Sequence, residues 1–268
     1  MKKIMSQENL ISPLAGVNPG AKLGSGVVVE PFAVIDDNVE IGDGTIIRSG
    51  AIIRSGARIG SRCEIHPHAV IACTPQDLKF KGEDTILTIG DRTVIRECAT
   101  VSRGTASKGQ TIVGSDCLVM AYAHIAHDCV FHDHIILGNA CQVAGEVEVF
   151  DWAIMSGGTL VHQFVRVGAH CMVQGGSRIT KDVPPYTLIG RDPAAYCGIN
   201  IVGLRRRKFT NDQIFTINDI FRKVYNSGLN ISDAIRVVEE ENEPSKERNL
   251  ILNFIRTSDR GIVRGAID

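Results

Sequence analysis

Aromatic side chains are scarce in this 268-residue sequence: Phe, Trp and Tyr make up 5% of it, although 44% is hydrophobic. A core without rings must be built from Ile, Val, Leu and Ala, which favours small, repeated packing units over one large irregular centre. An excess of charge is missing too. With 29 Lys and Arg against 30 Asp and Glu, the net charge is −1, so a chain-wide surface for polyanions is excluded and nucleic acid is not an expected partner. No run of 18 apolar residues occurs, and no apolar stretch follows the first lysines. The expectation is a soluble, cytoplasmic protein with no signal peptide and no stable membrane insertion. Eight cysteines are present, but no C-x-x-C, so the spacing of common zinc and redox modules is absent.

What the sequence has instead is a period of six. A large apolar residue recurs at Ile11, Val17, Leu23, Val29, Ile35 and onward to Ile71, at Ile89, Ile95 and Val101, and from Val113 without a break to Ile179, giving 26 hexads. Four residues after each comes a small or β-branched residue, among them Ala33, Ala51, Cys63, Ala69, Cys117, Cys129, Cys141 and Cys171. Neither a helical period of 3.6 nor plain alternation gives this pattern. It fits a parallel β-helix of short strands and tight turns, three hexads to a triangular coil, between eight and nine coils in all. The coil is similar to the left-handed β-helix of the hexapeptide-repeat transferases. The handedness comes from that similarity, since the period itself does not set it and parallel crossovers are usually right-handed. The repeat also accounts for the five cysteines just named: each sits at the small inward position and is read as a compact core residue.

The phase of six survives two stretches, 72–88 and 104–112, where the inward positions fall on Asp77, Glu83 and Ser107. Polar side chains cannot line such a core, so the chain must leave the coil there in two protruding loops, where binding residues tend to collect. The repeat ends near D-V-P-P-Y (182–186), and a basic run, R-R-R-K (205–208), follows. Apolar residues then recur at helical spacing. Thr210 is a cap for a first helix ending near 226–228, Asn230 or Ser232 for a second to about Asn242, and Pro244 opens a third to about Thr257. The expected organisation is a β-helix over 1–190 and a small helical domain over 191–268.

Residues 123–129 read A-H-I-A-H-D-C. The cysteine is a core residue, which removes a thiol nucleophile. Counting in coils of 18 places Gly145 and Glu146, then His162 and Gln163, beside His127 on successive coils, with His124 and Gln142 close by. This is a polar column on the outer wall. Two readings of it remain at this stage. Three convergent histidines with an open position would make a zinc site, as in the γ-class carbonic anhydrases on this kind of scaffold. A single imidazole, its tautomer set by Asp128, would make a general base for acyl transfer to a hydroxyl. The other histidines read as surface residues.

Several segments together resemble one family. A-H-I-A-H-D-C, G-G-T-L-V-H-Q-F (157–164), P-Q-D-L-K-F (75–80), G-D-R-T-V-I-R-E (90–97), D-V-P-P-Y and N-I-V-G-L-R-R-R (200–207) are similar to the UDP-N-acetylglucosamine O-acyltransferases, which begin lipid A synthesis. The resemblance covers nearly the whole chain. It implies a homotrimer with sites between subunits, no cofactor and no metal. His127 would be the base on the glucosamine 3-hydroxyl, which attacks the 3-hydroxyacyl thioester of acyl carrier protein, with the Gly145 N–H on the oxyanion. Gln76, Asp77 and Lys79 would reach the sugar nucleotide, and His124, His162, Gln163, Asn200, Arg206 and Arg207 would line the same cleft. Gly175, in V-Q-G-G-S, falls where the family closes its acyl groove; without a side chain it leaves the groove open to long chains. Two residues depart from the family pattern: Glu146 replaces a histidine in A-G-H, and Val202 a glutamate in N-I-E-G. The basic run at 205–208 meets either the acidic carrier protein or the nucleotide. Competing readings are another hexapeptide acyltransferase using acyl-CoA, a zinc hydratase of the carbonic anhydrase type, and a non-catalytic β-helical scaffold.

Overall fold

In the computed structural model, residues 8–265 are described. The outermost residues of the two expected domains, 1–7 and 266–268, lie outside them. Among the described residues the chain from Leu10 to Ile179 forms 26 short strands, most of them two residues long. Each holds one large residue of the hexad series, as in Leu10–Ile11, Gly16–Val17 and Lys22–Leu23. The strands stack in three parallel sheets, one per face of a left-handed triangular prism.

Register explains how the period outlives the loops. Leu10 pairs with Val28, and Ile46 with Glu64, one coil of 18 residues on. Glu64 pairs with Val94, 30 residues on, and Val94 with Leu118, 24 on. With Leu118 to Ile136 the interval is 18 again. The first loop therefore adds two hexads and the second adds one. Because both segments leave the coil and rejoin it, the strands beyond them keep their large residues inward.

Inward residues form one continuous core. Ile47, Ile53, Ile65, Ile71, Ile95, Ile125 and Leu137 are fully buried, each worth about 1.5–3 kcal/mol of burial. Cys129, Cys141 and Cys171 are fully buried among them, and Cys63 and Cys117 nearly so. Burial pushes the thiols of Cys129 and Cys171 up to about 12 and that of Cys117 to about 11, so they stay protonated and unreactive. Where the chain turns a corner it adopts positive φ, even at Phe32, Asn38, Tyr122, His134, Trp152 and His170. Such a backbone costs a side-chain-bearing residue roughly 1–2 kcal/mol. It persists because the coil-to-coil hydrogen bonds on both sides fix it.

The three outer faces differ. The first carries Val28, Ile46, Val94, Leu118, Ile136, Ile154 and Met172, interrupted by Glu64. The third carries ion pairs along the stack: Lys22–Glu40 at 2.9 Å, Arg58–Glu40 at 4.0 Å and Arg166–Glu148 at 3.5 Å. The second carries His124, Gln142, Leu160 and Arg178 and forms the wall of the site described below.

After the prism, Thr187–Gly190 adds to the first sheet in parallel, and Ala195–Ile199 folds back against it antiparallel, so the sheet runs past residue 190. Four helices follow among the described residues: α1 Ile201–Arg206, α2 Asn211–Asn226, α3 Ile231–Glu241 and α4 Lys246–Arg256. The short α1 has no hexad or amphipathic signal and was not anticipated. Thr210 caps α2 in a capping box with Gln213, Asn230 caps α3, and Ser245, one residue after Pro244, caps α4. Ile217, Ile220, Phe221 and Val224 of α2 pack with Val238 of α3, Ile251 and Leu252 of α4, and Tyr186 and Ile199 of the prism end. No helix among the described residues is long and apolar enough to cross a membrane.

Candidate active site

His127 stands at the corner after the strand His124–Ile125. The next residue, Asp128, has positive φ and is fully buried. That turn folds the carboxylate back under the imidazole, and His127 Nδ1 lies 2.7 Å from Asp128 Oδ2. Asp128 accepts three further bonds: from the Thr105 amide at 2.9 Å, the Thr105 hydroxyl at 2.6 Å and the Lys108 amide at 3.2 Å. Its own amide donates to Thr111 Oγ1 at 2.8 Å. Burial acts to raise the pKa of this carboxyl, but the bonds from Thr105 and His127 outweigh it and hold it below the ordinary value. An ionised Asp128 accepts at Oδ2, so the Nδ1 proton stays on that side of the ring and Nε2 carries the lone pair.

Nε2 faces a cavity of about 560 Å³. Gln76, His124, Gly145, His162, Gln163 and Arg178 are among the residues that line it. Asp77 Oδ2 stands 4.0 Å from Nε2, too far for a hydrogen bond. A Cβ at position 145 would lie 2.7 Å from His127 Cε1, so only glycine lets the ring sit flat against the next coil. The Gly145 N–H finds no acceptor among the described residues. Elsewhere the corner amides of Ser61, Ser115 and Asp133 are taken by Asp91, Asp133 and Asp151. At this edge the donor is left open beside His127.

His124 has its Nδ1 2.7 Å from the Thr100 hydroxyl, and burial, with the nearby His127, pulls its pKa down, so it is neutral at neutral pH. His162 Nδ1 bonds the Gln163 carbonyl at 3.1 Å. Among the described residues no three His, Cys, Asp or Glu side chains cluster as metal ligands.

The other residues named from the sequence lie away from this cavity in the single chain. Lys79 is exposed, its amide bonded to Asp77 Oδ1 at 2.9 Å. Asn200 is nearly buried as the N-cap of α1 and donates to the His170 carbonyl at 2.9 Å. Arg206 is exposed; Arg207 lies over the Trp152 ring at 5.2 Å and donates to its carbonyl. Gly175 is in a turn, where a Cβ would meet the Gly157 carbonyl oxygen at 3.0 Å. The sequence reading missed Thr105, Thr111, Ser107, Lys108 and Thr100, which support the histidines. For Thr105, Ser107 and Lys108 the one signal was the polar composition of the segment 103–110; Thr100 and Thr111 carried none.

A family described as bacterial transferase hexapeptide (six repeats) matches residues 38–73, and one described as UDP N-acetylglucosamine O-acyltransferase, domain 2, matches 182–263. An acyl-[acyl-carrier-protein]–UDP-N-acetylglucosamine O-acyltransferase of Janthinobacterium sp. (strain Marseille) is 46% identical over 261 residues, 96% of this chain and 100% of its own. The crystal structure of a UDP-N-acetylglucosamine acyltransferase from Bacteroides fragilis 9343 is 51% identical and superposes with a TM-score of 0.94, over 95% of this chain and 100% of that one. The corresponding Francisella novicida structure is 38% identical, with a TM-score of 0.92 over 95% and 94% of the two chains.

Proposed function

The chain belongs to the UDP-N-acetylglucosamine O-acyltransferases, and from that premise we propose how its own residues carry the reaction. The enzyme moves an acyl chain from acyl carrier protein to UDP-N-acetylglucosamine, the first step of lipid A biosynthesis. His127 Nε2 takes the proton of the glucosamine 3-hydroxyl as its oxygen attacks the 3-hydroxyacyl thioester carbonyl. The Gly145 N–H holds the oxygen on which negative charge builds, in a donor already fixed by the coil. Collapse of the tetrahedral centre breaks the carbon–sulfur bond, and the proton passes from Nε2 to the departing thiolate. Asp128 stays ionised throughout and steadies the imidazolium formed midway. The observation that carries this reading is the arrangement itself: a buried carboxylate on Nδ1, an open cavity on Nε2 and a free amide donor against the same ring.

Gln76, Asp77, His162 and Gln163 hold the sugar nucleotide around the base. Lys79, Asn200, Arg206 and Arg207 meet it in a cleft completed by a second copy of the chain. The apolar first face, from Val28 to Met172, supports a homotrimer in which the prisms pack side by side. The acyl chain follows that seam past Gly175, and the exposed Arg205 and Lys208 present positive charge to the acidic carrier. The test is His127→Ala. Turnover should fall by about 10² to 10⁴, the usual worth of a general base, with trimer mass unchanged by light scattering. A loss below tenfold at saturating substrates would remove His127 from the role.

A further inference from the structure

We propose that Glu146 is a positioning residue. Through Ser107 and Lys108 it latches the segment 103–110 onto Asp128, and so fixes the orientation of His127. This rests on His127 being the base.

Three of the four bonds accepted by the Asp128 carboxylate come from that segment, at Thr105 and Lys108. Yet the segment is the inserted hexad, the one whose inward position is polar. Ala106, Ser107 and Lys108 are all exposed, so burial does not hold those three in place. Polar contacts must do so. The Ser107 hydroxyl donates to Glu146 Oε1 at 3.1 Å. Lys108 Nζ lies 3.9 Å from Glu146 Oε2 and donates to the Asp128 carbonyl at 3.2 Å. Glu146 is itself anchored, its amide donating to the His127 carbonyl at 3.0 Å. A closed circuit results: His127 to Asp128, Asp128 to 105–108, 105–108 to Glu146, and Glu146 back to the His127 backbone. A carboxylate suits this place because its two oxygens serve the hydroxyl and the ammonium together. A neutral imidazole has one acceptor nitrogen, and a protonated one has none and repels the Lys108 ammonium. The glutamate at 146 and the Ser-Lys pair at 107–108 are thus one device, and the histidine of the wider family pattern should not replace the glutamate in this chain.

The experiment measures steady-state kinetics of the intact enzyme with UDP-N-acetylglucosamine and a 3-hydroxyacyl carrier thioester, for Glu146→Gln, Glu146→Asp, Glu146→His, Lys108→Met and the Glu146→Gln/Lys108→Met double variant. For Glu146→Gln, kcat should fall roughly tenfold, with KM for the nucleotide within about twofold. Glu146→Asp should recover part of the loss and Glu146→His none. The double variant should be no slower than the slower single one, because both cut the same circuit. Amide exchange in 103–110 should quicken in each. Folding is checked by circular dichroism, and Ser107→Ala gives a milder cut of the same circuit should Glu146→Gln not fold. Wild-type kcat in both Glu146→Gln and Ser107→Ala, full activity in Glu146→His, or multiplicative loss in the double variant overturns the latch. Should His127→Ala remain active, the base reading falls first; an inactive His127→Ala beside normal Glu146→Gln and Ser107→Ala removes the latch alone.

Discussion

Replacing Asp128 by Asn isolates the part of the site that depends on charge and tautomer. The amide has the size of the carboxyl, so the cavity under His127 stays filled. Oδ1 accepts the two backbone amides of Thr105 and Lys108, and Oδ2 accepts the Thr105 hydroxyl and His127 Nδ1. An asparagine will keep its oxygen where two fixed N–H donors point, which sends its NH₂ to the side of His127. The hydroxyl of Thr105 can turn to accept. His127 Nδ1 can meet the NH₂ only as an acceptor, so the ring proton must move to Nε2. The base then presents a proton to the substrate hydroxyl instead of a lone pair. The loss should therefore match that of the base itself, about 10² to 10⁴ in kcat. Stability should change less. The hydrogen bonds remain but no longer involve a charge, a loss on the order of 1.5–3 kcal/mol, while the burial of a charge is relieved. The assay is kcat and KM for each substrate, with the melting temperature recorded on the same preparation. An Asp128→Asn enzyme within threefold of wild-type kcat would refute the tautomer argument, and with it the claim that Asp128 acts through His127.

Gly145→Ala places a Cβ 2.7 Å from His127 Cε1, so the ring must rotate away; kcat should drop more than about tenfold while the circular dichroism spectrum is kept. Burial, then the charge of Arg207, pushes the His170 pKa down to about 4, so its contribution to stability is whole above about 6.5, the unfolded value, and is lost as pH falls towards 4. His124 is lowered as well, whereas His132, paired with Glu148, is raised and works the other way. The informative quantity is a difference: His170→Phe, which keeps the ring stack with Tyr186 and Trp152, should show a flatter fall in melting temperature between pH 7 and 5 than wild type, and parallel curves would dismiss His170 as the titrating group. Gly175→Met should favour shorter 3-hydroxyacyl donors, since each methylene excluded from an apolar groove forfeits about 0.8 kcal/mol. The Gly157 carbonyl must give by a few tenths of an ångström to admit the new side chain, so donor selectivity, read as ratios of kcat/KM, is the measure to use; an unchanged length profile would move the stop elsewhere.

The fold was legible because the hexad is a physical unit. Each large residue needs a place inside a coil, and each small one needs a corner that admits little else, so Ile53 or Cys141 can be assigned to the core from the letters alone. The cysteines illustrate this: their period, with no feature of their own chemistry, put them inside. The site was partly legible for the same reason, since a stack of fixed period turns sequence distance into spatial neighbourhood and sets His127 beside Gly145 and His162. What the letters hid were contacts made off the stack. Asp128 could be paired with His127 from the letters, but nothing local says that it is fully buried. Its burial depends on a loop two dozen residues earlier folding back onto it. Asn200 and Arg207 were placed by resemblance in a nucleotide cleft; within one chain the first caps α1 and the second stacks on Trp152, because local orphan donors and an exposed ring take the nearest polar partner on hand.

The same geometry links the loops to the chemistry. A β-helix keeps its phase through an insertion when the added residues leave the coil and return at the same edge. It can accept one only between strands, where no ladder bond is broken. Both inserts here obey this. The first leaves after the strand Val70–Cys73 and the second after Thr100–Ser102. Those strands are successive rungs of one face, and the next rung is His124–Ile125. Each insert therefore rises from the same edge, one and two coils before His127, and both lean over the same corner. The first brings Gln76 to the cavity and Asp77 to 4.0 Å from Nε2. The second brings Thr105 and Lys108 onto Asp128. The stack itself supplies His127, Gly145 and its free amide at fixed spacing, and the inserts supply the groups that no hexad can place because they must reach across coils. A loop of the same composition one face away would emerge at a different edge, out of reach of the imidazole. The position of the inserts within the period, more than their sequence, is what turns a regular prism into a site.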